Sequence, residues 1–212
     1  MPFYVLKLGG SLLESSRDLV RALAGLAEDG YSFLIVPGGG PLADLVRVIH
    51  ARFAISDDAA HWMAVLAMEQ YAYFLADGTG ARLVEEIRKP DCDRAGQVDV
   101  LLPYQALKKD DAGIEHNWDY TSDSIAMLAA ERLHSPLIKA TNVGGIIAEG
   151  KVQEVVCASH LLGKESCLDQ GTLRLLMRKG EGASLRVLDG TDPKEFIRAL
   201  KTGNGGTTVI SR

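Results

Sequence analysis

Apolar residues along this chain follow two spacings that take turns. Phe3-Tyr-Val-Leu-Lys-Leu8 is a short β-prone run stopped by Gly9-Gly10, which predicts a strand. Leu19, Val20, Leu23 and Leu26 then recur at helical intervals, and Gly30 predicts the end of that helix. Phe33-Leu-Ile-Val36 is apolar throughout, as expected of a strand covered on both faces. After Gly38-Gly39-Gly40 a second helix carries Leu42, Leu45, Val46, Ile49 and Phe53 on one stripe. A longer helix is predicted from about Ala59 to Ala76, where glycine and proline are absent.

The alternation continues. Val98 to Leu102 reads as another buried strand, closed by Pro103. Thr121-Ser-Asp-Ser opens a helix from Ile125 to Leu133, with hydroxyls available as caps. Leu137-Ile-Lys-Ala140 leads into Thr141-Asn-Val-Gly-Gly145, and Arg186-Val-Leu188 and Thr207-Thr-Val-Ile210 predict closing strands. Glu149 to Gly182 shows no clear period and is expected to hold two short helices. Strands alternating with helices predict an α/β fold: a three-layer αβα sandwich with a mostly parallel central sheet. Residues 1–212 are expected to form one domain.

Composition narrows the function classes. The net charge of −5 argues against a nucleic-acid partner, which needs a broad basic face. Cys92, Cys157 and Cys167 form no CxxC pair and cannot all pair together, so a reducing cytoplasm is expected. No apolar run reaches the length of a membrane span, and the first residues lack a signal-peptide layout. Glycine is high, at 22 residues, and clustered at 9–10, 38–40, 144–145 and 203–206. Each cluster adjoins an apolar run, where open α/β sheets place their ligands.

Lys7-Leu-Gly-Gly-Ser11 sets a lysine at a strand end before a glycine pair. Backbone amides there can surround phosphate oxygens, although a plain turn with a solvated lysine has the same spacing. Gly38-Gly39-Gly40 before Pro41 and a helix reads more strongly as an anion site. Neither cluster fits G-x-G-x-x-G, and no G-x-x-x-x-G-K-[ST] loop exists, which excludes a Walker-type triphosphatase. Asp123, at a helix start, reads by itself as a cap. His116 reads as a loop histidine, and His61-Trp62-Met63, continuing through Val65, Leu66 and Met68, reads as core or subunit interface.

Taken in order, these segments resemble the amino acid kinase superfamily over nearly the whole chain. Lys7-Leu-Gly-Gly-Ser11 resembles its N-terminal lysine-glycine motif, and Val36-Pro-Gly-Gly-Gly40 its acceptor-binding loop. Ser122-Asp123-Ser124 resembles its catalytic-aspartate segment, and Lys139-Ala-Thr-Asn-Val-Gly-Gly-Ile146 the nucleotide-binding segment of uridylate kinases. Gly203-Asn-Gly-Gly-Thr-Thr-Val-Ile210 is similar to the final Gly-Thr strand. His61-Trp-Met-Ala-Val-Leu-Ala-Met and Trp118-Asp-Tyr-Thr-Ser-Asp-Ser resemble, more narrowly, the methanofuran-biosynthesis branch, which phosphorylates (5-(aminomethyl)furan-3-yl)methyl phosphate.

The resemblance implies an ATP-dependent kinase with Mg²⁺ and a small-molecule phosphate acceptor; a homo-oligomer is expected, with the His61 to Ala76 helix as the interface candidate. It implies catalytic roles for Lys7 and Asp123, and phosphate or acceptor binding by Gly9, Gly10, Ser11, Gly38, Gly39, Gly40, Trp118, Asp119, Thr121 and Ser122. Nucleotide contacts are implied for Lys139, Thr141, Asn142, Gly144, Gly145, Gly205 and Thr207, with no metal ligand from the protein. Trp62 and Glu69 join Trp118 and Asp119 as candidates for the acceptor ring and amine. Two departures stand out. Gly144 occupies the usual aspartate position, and the downstream segment carrying a second catalytic lysine in acetylglutamate kinases is missing. Lys139, Arg174, Arg178 and Lys179 are the candidates for that second cation. A nucleoside-monophosphate or isopentenyl-phosphate kinase is the enzymatic alternative, and a non-catalytic nucleotide-binding or oxyanion-storage protein the other.

Overall fold

The computed structural model describes residues 1–90 and 96–212; Cys92 lies outside the described residues. An eight-stranded sheet forms its centre. In chain order the strands are β1 (Phe3–Leu8), β2 (Ser32–Pro37), β3 (Arg82–Val84), β4 (Val98–Leu101), β5 (Leu137–Thr141), β8 (Val155–Cys157), β9 (Ser184–Asp189) and β10 (Thr207–Ile210). A separate hairpin pairs β6 (Ile147–Ala148) with β7 (Lys151–Val152). Across the sheet the order is β3-β4-β2-β1-β5-β9-β10-β8, and every pairing is parallel except β9 with β10. Helices α1 (Ser16–Glu28), α2 (Gly40–Phe53), α3 (Asp57–Ala76), α4 (Pro103–Lys109), α5 (Ser122–Arg132), α6 (Gln170–Arg178) and α7 (Pro193–Thr202) complete the chain.

Two apolar cores lie on opposite sheet faces. Leu6 and Leu8 pack with Leu19, Leu23 and Phe196 of α1 and α7. Val5, Leu34 and Val36 pack with α5, α6 and Val65 and Met68 of α3. Because strand side chains alternate, Lys7 shares the face of Val5, and Lys139 shares that of Leu137. Both lysines therefore point towards α5. From β1 the chain builds one way through β2 and then opens the other side with β5, so β1 and β5 flank the topological switch point.

The expected elements are present, with differences that have local causes. The 149–182 region holds one α-helix, α6, and a single helical turn at Ala158–His160 rather than two short helices. Helix α7 was not anticipated, yet its signals are plain: Asp192 accepts from the amides of Lys194 and Glu195, Pro193 begins the helix, and Gly203 ends it at φ 75°. The stripe on α2 is not buried as a whole: only Ala43 and Val46 are, while Leu42, Leu45, Val48 and Phe53 are exposed. No described helix is long and apolar enough to cross a membrane.

Candidate active site

A cavity of about 560 Å³ opens over the carboxyl ends of β1, β2 and β5. Its floor is an ionic cluster. Asp123, in the first turn of α5, places Oδ1 2.9 Å from Nζ of Lys7 and Oδ2 2.5 Å from Nζ of Lys139. All three side chains are buried. The Lys7 contact is an ion pair not aligned as a hydrogen bond, whereas Lys139 donates to Asp123 and also to the carbonyl of Cys167. Asp123 does not cap its own helix: its carboxylate is committed to the two ammonium groups.

The electrostatics follow from that geometry. Burial penalises the Asp123 carboxylate, but the charges of Lys139 and Lys7 outweigh burial and hold its pKa at about 2. Burial pushes the Lys7 ammonium below its usual range; Asp123 opposes that shift and Lys139 adds to it.

The two glycine turns meet above this cluster. A Cβ on Gly10 would fall 2.3 Å from Cα of Gly40, and one on Gly38 2.8 Å from the amide nitrogen of Gly10. Only glycine permits that backbone-on-backbone approach, which brings the β1 turn against the N-terminus of α2. The amides are not equivalent. Gly9 donates to Ala140 O and Gly38 to Leu8 O, so those two amides are used in the fold. Gly10, Gly39 and Gly40 have no backbone acceptor among the described residues, so their amides are not used in the fold's backbone bonding.

Asp169, which the sequence did not single out, organises the other wall. Its Oδ2 accepts from the amide and hydroxyl of Thr121 at 2.8 and 2.7 Å, and from the amide of Ser124 at 3.2 Å. Its Oδ1 accepts from the Ser124 hydroxyl and the Thr172 amide, both at 2.7 Å. One carboxylate thus caps α5 and α6 together and fixes the turn that carries Asp123. A capping residue was legible before Gln170-Gly-Thr; its partnership with Ser124, far away in sequence, was not.

The structure gathers Lys7, Gly9, Gly10, Ser11, Gly38, Gly39, Gly40, Trp118, Thr121, Ser122, Asp123, Lys139, Thr141 and Asn142 around this cavity. It does not bring Asp119, Gly144, Gly145, Gly205 or Thr207 to the cavity wall. Asp119 pairs with Arg174 at 2.8 Å. Thr207 is buried and accepts from the Ile146 amide while donating to Gln153 O, so it anchors the 145–153 segment to β10. Gly145 sits against that same hydroxyl, where a Cβ would come within 2.3 Å, and Gly205 offers its carbonyl to Arg186. Glu69 accepts from the amides at the start of α4, and Trp62 packs on Tyr104 and His116, so neither lines the cavity. Of the candidate second cations only Lys139 reaches the site. Arg174 and Arg178 pair with Asp119 and Glu131, and Lys179 lies off the wall. His61, Val65 and Met68, expected as core or interface, line the cavity as well as packing.

The comparisons with known proteins fit this arrangement. The chain is 31% identical over 210 residues to the [5-(aminomethyl)furan-3-yl]methyl phosphate kinase of Methanocaldococcus jannaschii, covering 93% of each chain. It is 25% identical to a uridylate kinase of Thermotoga petrophila, over 91% of this chain and 87% of that one. The fold matches the uridylate kinase structure from Archaeoglobus fulgidus at a TM-score of 0.69 with 21% identity, covering 97% and 99% of the two chains. A T. acidophilum isopentenyl phosphate kinase product complex matches at 0.60 with 16% identity, over 98% of this chain and 99% of that one. The model described as Amino acid kinase family matches residues 2–156, a span that carries Lys7, both glycine turns, Asp123 and Lys139. With that match and those residues converging on one cavity, the chain belongs to the amino acid kinase family.

Proposed function

We propose that the protein is a cytoplasmic ATP-dependent kinase whose acceptor is a small phosphate monoester, (5-(aminomethyl)furan-3-yl)methyl phosphate, converted to the diphosphate. One observation carries this reading: two buried ammonium groups on adjacent strands, held by a single carboxylate, beside three unengaged amides. Phosphoryl transfer asks a protein mainly for positioning and charge neutralisation, and this cluster supplies both.

Lys7 and Lys139 would neutralise charge on the transferring phosphoryl group. The amide of Gly10 in the turn after β1, with those of Gly39 and Gly40 at the α2 N-terminus, would hold phosphate oxygens of the substrates. An acceptor phosphate oxygen attacks the γ-phosphorus, a new P–O bond forms, and the bond to the β-bridging oxygen breaks to release ADP. No side chain needs to remove a proton. A phosphate monoester has its second pKa near 6, so the attacking oxygen is already ionised at neutral pH. Asp123, with its pKa at about 2, is unsuited to act as a base and serves to orient the lysines.

No group of three or more His, Cys, Asp or Glu among the described residues forms a metal-binding cluster. The site carboxylates Asp123 and Asp169 are committed to lysines and to capping bonds. The residues present therefore do not fit a protein-held metal, and Mg²⁺ is assigned to the nucleotide phosphates alone.

Helix α3 is apolar on nearly every side, and α2, packed against it, leaves Leu45, Val48 and Phe53 57%, 58% and 64% exposed. An apolar helix pair in this state supports a homo-oligomer in which a second copy covers that face.

The deciding experiment is ADP release with ATP and Mg²⁺ across the furan phosphate, UMP and isopentenyl phosphate. Turnover on the furan phosphate at the highest kcat/KM supports the reading. Preference for UMP, consistent with the Lys139-Ala-Thr-Asn-Val segment, replaces the acceptor. ATP binding without acceptor-dependent ADP release leaves a storage or sensing protein.

A further inference from the structure

Arg47 lies on α2, beyond the glycine turn, and its side chain forms part of the cavity wall. Among the described residues, the cationic side chains of that wall are Lys7, Lys139 and Arg47. Both lysines pair with Asp123, so Arg47 is the cation of the wall that stands outside the ionic cluster.

Arg47 is held in place but not saturated. Its Nη1 bonds Oδ1 of Asp44 at 2.6 Å, three residues earlier on the same helix. The guanidinium carbon sits 4.8 Å from the ring centroid of Trp118, and that ring is itself fixed by donating to Nδ1 of His50. The Arg47 and Asp44 side chains are 49% and 70% exposed. An exposed pair of this kind is weak and readily exchanged. The single bond to Asp44 also leaves most of the guanidinium's five N–H donors unengaged.

The direction of the side chain matters. Helix side chains lean towards the N-terminus, and the bond to Asp44 draws the guanidinium the same way. Asp44 is four residues from Gly40, about 6 Å along the helix axis. The amides of Gly39 and Gly40 at that end have no backbone acceptor among the described residues. A phosphate seated on them would have the guanidinium about one turn above it.

Transfer between two phosphates needs such a group. It brings two anions together, and a phosphate monoester carries close to two negative charges at neutral pH. The cluster of two ammonium groups and one carboxylate offers one net positive charge. A guanidinium adds another and matches phosphate oxygens with two parallel N–H bonds.

We infer that Arg47 binds the phosphate of the acceptor, exchanging its bond to Asp44 for bonds to that phosphate. Asp44 is then a built-in competitor that positions Arg47 and is displaced by the substrate. This inference rests on the kinase reading above and deepens it.

The test compares wild type with Arg47→Met, Arg47→Lys and Asp44→Asn. Steady-state rates are measured on whichever of the furan phosphate, UMP and isopentenyl phosphate turns over best. Inorganic phosphate serves as an inhibitor competing with the acceptor. Arg47→Met should raise the acceptor KM by about tenfold or more, the scale of a lost bond to a charged group, with kcat and the ATP KM unchanged. Its Ki for inorganic phosphate should rise in parallel, and Arg47→Lys should recover part of both losses. Asp44→Asn should move the acceptor KM the other way, down by about twofold or more, because no partner has to be displaced. An unchanged acceptor KM, or an equal rise in the ATP KM, overturns the inference. So does an unchanged Ki for inorganic phosphate, which assigns the KM rise to a shifted Trp118. An Asp44→Asn KM at or above wild type overturns the exchange. Preference for UMP or isopentenyl phosphate overturns the furan acceptor, and the Arg47 comparison on that substrate then decides Arg47 separately. If no acceptor releases ADP, both readings fall.

Discussion

Lys7 and Lys139 are direct register partners on neighbouring parallel strands, β1 and β5, and a single carboxylate, Asp123, takes one ammonium on each oxygen. Two like charges on adjacent buried positions repel. Asp123 makes their proximity tolerable and leaves the cluster with one net positive charge for an anionic substrate. Of the cations weighed for the missing downstream lysine, Lys139 alone lines the cavity, and its role there is part of the proposal.

Lys7→Ala and Lys139→Ala should each lower turnover by about a hundredfold or more, the loss typical of one transition-state donor. Both variants should fold, since each relieves the repulsion between ammonium groups. Rates on folded protein test this, and wild-type turnover in either variant removes that lysine from the mechanism.

Asp123→Asn should damage stability as well as rate. It leaves two buried ammonium groups without their counter-charge, at a cost of about 3–5 kcal/mol in denaturant unfolding. The pH dependence has a definite sign. With a folded pKa of about 2 against an ordinary 3.8, Asp123 contributes fully above pH 3.8 and its contribution is lost as pH falls towards 2. A variant as stable as wild type at pH 7 contradicts the ionic cluster.

Gly10→Ala tests the contact between turns. The added Cβ would meet the Gly40 backbone at 2.3 Å, so one turn must move. Turnover should fall by about tenfold or more, because a shift near 1 Å in positioning groups costs at least that much. Gly25→Ala is the control: a Cβ there meets nothing within 4 Å on an exposed helix face, and its kinetics should match wild type.

The buried imidazole sets a second pH window. His61 has its folded pKa at about 4 against 6.5 unfolded, so between these values the unfolded chain binds the proton that the folded chain refuses. Stability should fall as pH drops from 6.5 towards 4, and His61→Phe should flatten that slope. Equal slopes in urea titrations from pH 4 to 7 count against a buried neutral imidazole.

Leu45→Glu addresses the uncovered face of α2 and α3. At 57% exposure the substitution costs little in an isolated chain, but it places a charge in the proposed contact. Sedimentation should show a larger species for wild type and a monomer for the variant. A monomeric wild type ends the assembly reading.

The alternation of strand and helix and the glycine turns were legible in the chain, because strand burial and turn geometry impose residue types locally. The apolar runs of β1, β2 and β5 and the stop at Gly30 reflect such local demands. Helix α7 carries local signals too, in Asp192, Pro193 and Gly203, although its amphipathic stretch is short. What a side chain faces is a long-range matter. Asp123 has the sequence of a helix cap and becomes the counter-ion of two lysines only because β1 and β5 pair in register beneath α5. Asp169 caps α6 by local rules but holds Ser124 only through the packing of α6 on α5. His61 has the pattern of core, and that its buried Nε2 goes without a partner depends on which groups the fold packs around it. Local sequence therefore determined which elements form and where backbone comes close. Tertiary structure decided which charges meet, because Coulombic and hydrogen-bond partners depend on proximity in space and not along the chain.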